Sequence, residues 1–297
     1  MHDDTHDDDF TPYRPPRAEL TMPEGPGGWR ESPAFVSPLQ GWRWIFMDVW
    51  EIMEERPLFW PVLVSVLWGV EYVWGALIEN SGIADAFVRN LLFVGIVPLC
   101  AAVVFLCARQ DLEVGDEETE TGLFALSGGV LLRALPFCPL FAALVGGYLY
   151  GTGMFTGAVV QRLPEPFWAW VIAGSAGLGS GTSALMLFAL TAEALAIMAR
   201  LPFFTALFRA ACALTHNCLA FALAALCFWA LSLTCGEMHK DITAFAAKHG
   251  VNGAWLEPAC AYLTEWLKAA TLLLAPCRIA RDIFYETGYN GREAGEL

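Results

Sequence analysis

The sequence predicts an all-α, polytopic membrane protein: six transmembrane helices arranged as three hairpins, with amphipathic lead-in helices lying on the membrane surface. Three observations carry this. Apolar residues make up 56% of the 297-residue chain, charged residues only 16%, and the mean hydropathy is +0.48; that leaves too little polar material to cover a soluble fold. Six apolar runs approach or exceed the roughly 20 residues a helix needs to cross a bilayer core. A short grammar, Arg then Pro then Phe, recurs along the chain as Arg56-Pro57-Leu58-Phe59, Arg133-Ala134-Leu135-Pro136-Phe137 and Arg200-Leu201-Pro202-Phe203. Each copy reads as a lead-in ending at the interface, a bend, and entry into lipid.

Residues 1–40 are rich in Pro, Asp and Gly and bury too little to fold alone, so they are expected to form a disordered acidic tail. From Trp42 to Arg56 the pattern is amphipathic. Ile45, Phe46, Val49, Ile52 and Met53 share one face of a helical wheel, opposite Arg43, Asp48, Glu51, Glu54 and Glu55, with Trp44 and Met47 as misfits. The membrane domain is placed at 41–285, with spans near 58–79, 88–108, 134–151, 166–187, 210–233 and 258–277, and a C-terminal tail at 286–297. Helices are required because an unpaired peptide group in hydrocarbon costs several kcal/mol and the runs lack the alternation of barrel strands. Gly122 to Arg133 and Ala189 to Arg200 are the lead-ins to the later hairpins. Unequal spacing of the three copies leaves descent from one hairpin and convergence on interfacial residues both open.

Counting Arg and Lys, twelve of the 17 fall on the side of the N-terminus, which predicts cytoplasmic termini at both ends of the chain. The net charge of −14 does not oppose this, since acidic residues carry little weight in that bias. No cleavable signal is visible in the acidic N-terminus. The expected location is a bacterial inner membrane, crossed several times.

Ionisable groups within spans are the candidates for function, because each costs about 3 kcal/mol at mid-bilayer. Glu71 stands well inside the first span. Glu265 and Lys268 are one turn apart in the last, as part of an ion path or as a pair at the interface. Lys268 is also the candidate partner of Glu71. Thr205, Arg209, Cys212 and His216 form a polar stripe in the fifth span beside Asn217, either lining a path or sealing a helix seam. Gly177, Gly179 and Gly181, in a run of small residues of the fourth span, permit close helix contact or an unwound binding segment. Cys235 and Cys260 flank the last outer loop and are the candidate disulfide; the other cysteines read as small buried hydrophobes.

No closed metal motif, cofactor fingerprint, nucleophile with a base, or basic patch for nucleic acid is present, so neither an enzyme nor a nucleic-acid partner is expected. The expected partner is the bilayer, with a protein partner possible through the acidic tail or the 111–120 loop. Two functions remain. A transporter or channel-like subunit using the intramembrane charges is favoured slightly; the alternative is a structural or regulatory subunit that organises lipid or recruits a partner. Convergence of the charges on one cavity would separate them.

Overall fold

The computed structural model describes residues 29–112, 128–160, 168–248 and 253–285. Of the sequence-based expectations, the acidic 111–120 loop from residue 113 onward, the first part of the lead-in before Arg133, and both chain ends lie outside these residues. The described chain is helical: α1 (Gln40–Phe46), α2 (Asp48–Glu55), α3 (Phe59–Glu79), α4 (Ala86–Val94), α5 (Val97–Leu112), α6 (Gly128–Ala134), α7 (Phe137–Phe141), α8 (Gly147–Val160), α9 (Trp168–Met198), α10 (Phe203–His216), α11 (Cys218–Lys248) and α12 (Gly253–Phe284). A π turn, Ala142–Gly146, joins α7 to α8.

Among the described residues, five helical stretches are long and apolar enough to cross a membrane: Phe59–Glu79, Ala86–Arg109, Gly129–Gly151, Gly179–Met198 and Cys218–Phe245. The sixth expected span, 258–277, falls in α12 and is not among them. The 32-residue α12 has the length, but the Glu265 and Lys268 charges interrupt its apolar run. The expected fifth span is displaced as well. It begins at Cys218, because the chain bends at Asn217 (φ −120°, ψ 34°) and separates α10 as an amphipathic helix with Phe204 and Phe208 exposed.

α9 is the spine of the bundle. It packs against α5, α10, α11 and α12, and 72% of Gly179–Met198 is buried, against 17% of Phe59–Glu79 in α3. The stretch expected to lie on the surface, Ala189 onward, is therefore the most enclosed part of the fold. Ala189, Leu190, Ala192, Ala194, Leu195, Ala196, Ile197 and Met198 are all 2% exposed or less. α9 stops where Arg200 adopts a left-handed φ of 53° and Pro202, with no N–H to continue the ladder, begins α10. The Arg-Pro-Phe grammar thus marks helix starts in all three copies: Pro136 and Pro202 are the N-caps of α7 and α10, and Pro57 precedes α3. Phe137 and Phe203 meet edge to face, ring centroids 4.8 Å apart.

α1 and α2 form an amphipathic pair, with the phase turned relative to the expected wheel. Gly41, Trp44, Ile45, Asp48, Val49, Ile52 and Met53 are buried at helical spacing, whereas Trp42, Phe46, Met47 and Trp50 face outward. Trp44, a misfit on the wheel, is fully enclosed and stacks edge to face on Phe221. α1 can lie this close to α11 only because residue 41 has no side chain. A Cβ there would fall well inside contact distance of the Ala220 carbonyl oxygen and 2.9 Å from Ala224 N.

Gly41→Ala is therefore expected to cost about 2 kcal/mol or more, since backbone atoms of α11 cannot step aside. Gly236→Ala, in the open interior of α11, is expected to be neutral or to gain about 0.5–1 kcal/mol. Denaturation of the two variants in detergent micelles distinguishes them; equal stability would contradict the backbone contact.

Candidate functional site

A helix ends with carbonyls that have no partner within it. At the end of α12, the chain's own N-terminal segment supplies partners. Arg30 N–H donates to the Phe284 carbonyl (2.6 Å) and Ala34 N–H to that of Ile283 (2.8 Å). Trp29 bridges to Tyr285, with the rings edge to face at 5.4 Å. Residues 29–36, expected to belong to a disordered tail, thus form a strap across the end of the bundle.

Two sequence-derived candidates hold this strap. Asn217 is 3% exposed; its Nδ2 donates to the Ala34 carbonyl (3.0 Å) while its Oδ1 accepts from Val36 N–H (2.9 Å), so one side-chain amide pairs with the strap as a neighbouring strand would. Arg209 Nη1 donates to the Arg30 carbonyl at 3.0 Å. The residues placed on a possible ion path are in this structure an anchor for backbone. His216 is exposed and its Nδ1 lies 2.9 Å from the Cys212 carbonyl of its own helix.

The strap, α1, α2 and the last turns of α12 enclose a polar basin of about 440 Å³ lined by Gln40, Arg43, Asp48, Glu51, Arg278, Arg281, Asp282 and Tyr285, with Val36 and Ser37. Its wall is organised by the Gln40 amide, which reaches both Asp48 (3.1 Å) and Asp282 (2.9 Å). Trp44 Nε1 donates to the same Asp282 oxygen at 2.8 Å. Arg43 lies 3.6 Å from Asp48 and 3.9 Å from Glu51, and Arg278 3.2 Å from Glu51. Arg281 lines the basin and makes no ion pair among the described residues. Burial, and then the neighbouring Asp282 carboxylate, push the Asp48 carboxyl above the ordinary range, against the pull of Arg43 and Arg278. The basin therefore presents clustered guanidinium groups beside two closely placed carboxylates, complementary to a ligand carrying both charges.

None of the other sequence-derived candidates lines the basin, and of their charged groups only Glu265 and Lys268 form an ion pair among the described residues. Glu71 of α3 lies beside the Cys100 thiol of α5. Lys268 is paired with Glu265 at 2.5 Å, not with Glu71. Gly179 and Gly181 seat side chains from neighbouring helices: a Cβ at either would collide with the Trp229 indole or the Tyr148 hydroxyl respectively. Gly177 lies within α9. Cys235, buried in α11, and Cys260, half-buried in α12, are free thiols in this structure. α12 meets α3 through Tyr262, whose hydroxyl donates to Ser65 Oγ at 2.7 Å and whose ring stacks edge to face on Trp68 at 5.0 Å.

Sequence reasoning passed over Gln40, Arg278, Arg281 and Asp282. They lie at the edges of apolar runs, where polar residues are routine, and 242 positions separate Gln40 from Asp282. A comparison of the chain with protein-family models, characterised proteins and solved structures finds no match.

Removing the Asn217 amide with Asn217→Ala is expected to cost about 2 kcal/mol, two buried hydrogen bonds at roughly 1 kcal/mol each, and to open the strap. Hydrogen exchange reads this directly: the Val36 amide should lose protection while amides within α9 keep theirs. Asp48 gives a pH signature. The folded protein binds its proton more tightly than the unfolded chain, so its contribution favours folding at acid pH and is lost as pH rises through the raised value. Melts across that range should show Asp48→Asn gaining on wild type as pH rises; a variant that loses ground to wild type over the same range would refute the assignment.

Proposed function

We propose that this chain is a non-catalytic, multispan membrane subunit that holds lipid headgroups at the basin formed by α1, α2 and the end of α12. The observation that carries the reading is the basin's position. It lies under an amphipathic pair whose outward face bears Trp42, Phe46, Met47 and Trp50, the residue types that settle at a membrane surface. Its charges suit a zwitterionic headgroup, with the phosphate toward Arg43, Arg278 and Arg281 and the amine toward Asp48 and Asp282.

In this reading α12 is a sixth span. Support comes from the chain ends: Trp29 and Tyr285 are in contact, and a chain whose described ends share one side crosses an even number of times. Pairing of Glu265 with Lys268 lowers the cost of carrying α12 through lipid. The excess of Arg and Lys assigns the strap end to the cytoplasmic side of an inner membrane. The three-hairpin arrangement follows from six spans in sequence.

Transport is the second reading, favoured by two carboxyl groups within the apolar helices, the half-buried Glu71 and the fully buried Glu193. It ranks lower because Arg209 and Asn217 are engaged with the strap and Glu265 with Lys268, leaving the candidate path without continuity.

The test is lipid retention. Protein in nanodiscs of mixed phosphatidylethanolamine and phosphatidylcholine, released and weighed by native mass spectrometry, is expected to keep the ethanolamine lipid preferentially. Arg281→Gln, which breaks no ion pair among the described residues, should lower that retention about fivefold, the equivalent of roughly 1 kcal/mol for a partly exposed charge contact. Equal retention of both lipids by wild type, unchanged in the variant, would refute the proposal.

A further inference from the structure

The interior of the bundle holds a carboxyl group that neither the basin nor the strap uses. Glu193 is 0% exposed, and both of its carboxyl oxygens are buried without a hydrogen-bond partner. It sits in the most enclosed stretch of α9, among Leu190, Ala194 and Ile197, each 2% exposed or less. Its titratable surroundings are two thiols, Cys100 of α5 and Cys138 of α7, and Cys100 in turn touches Glu71 of α3. From α10, α11 and α12, which also pack on α9, no charged group among the described residues acts on it; α10 contributes Ala206, Ala210 and Ala213 as its buried residues. Arg200, the nearest cation along α9, lies seven positions further on, exposed beyond the helix end.

An ionised carboxylate in such a place bears a large desolvation cost with nothing to offset it. A hard cation as ligand would need about six oxygens around it, and Glu193 has thiols and alkyl groups. The ligand that fits a lone carboxyl in apolar surroundings is a proton.

We propose that Glu193 is a proton-binding site at the centre of the helix bundle, with Cys100, Cys138 and, one contact beyond, Glu71 as its titratable surroundings. One proton adds to a carboxylate oxygen and leaves from it, and no other bond changes. The site is independent of the basin, and its test does not depend on lipid retention.

Infrared difference spectroscopy of the full chain in liposomes at neutral pH provides the test. Wild type minus Glu193→Gln is expected to show the C=O stretch of a protonated carboxylic acid, shifted in deuterated buffer, and the same band should remain in Glu71→Gln. A difference spectrum showing a lost carboxylate stretch would overturn the proposal. If Glu193→Gln does not fold, wild type labelled with 13C at the Glu carboxyls decides it in solid-state magnetic resonance. One acid resonance should persist at a pH where the exposed glutamates have ionised, and its absence would overturn the proposal equally.

Discussion

The end of α12 is where the architecture closes on itself. Its last carbonyls face outward with no helical partner, and the backbone of residues 30 and 34 supplies the missing donors. Because Asn217 grips the same strap from the bend between α10 and α11, one short segment joins the beginning, the fifth apolar stretch and the end of the chain. The placement of α1 against α11, the approach of Gln40 to Asp282, and the basin itself all follow from that closure.

Around the closure, the fold uses two kinds of packing. Along α9, small residues let large neighbours approach, so that Gly179 and Gly181 receive Trp229 and Tyr148 where longer side chains would hold the helices apart. At the strap end, polar side chains replace small ones as the means of cohesion: Gln40, Trp44, Asp48 and Asp282 form one network that fixes α1 relative to α12. The first kind suits apolar surroundings, where there is little hydrophobic force to drive helices together. The second suits a boundary with water, where hydrogen-bonded charges need not be wholly desolvated.

Much of the helical plan was legible in the sequence, because apolar runs are set by local composition. Phe59–Glu79 matches its expected span nearly residue for residue, and the Arg-Pro-Phe copies do mark helix starts. What escaped depends on contacts between distant positions. Nothing near Asn217 announces a bend that serves residues 34 and 36, and a wheel drawn for residues 42–56 cannot know that α11 covers Trp44. Glu193 left a trace: an isolated carboxylate in the Ala- and Leu-rich run from 184 to 198, with no basic residue one turn away. The trace was masked by reading that run as a surface lead-in. The candidate site was less legible than the fold, since Arg43, Asp48 and Glu51 were visible as a polar face while their partners Arg278 and Asp282 lie more than 200 residues away.

In the proposed role, polar headgroups are held in the basin at the junction of α1, α2 and α12. Electron cryomicroscopy of the protein in nanodiscs containing phosphatidylethanolamine tests this most directly. The expected map shows headgroup density in the basin, its phosphate against Arg281 and its amine facing Asp48 and Asp282, with acyl chains passing the outward face of Trp42 and Phe46. A basin holding only water, with lipid density confined to the apolar flanks of the bundle, would contradict it.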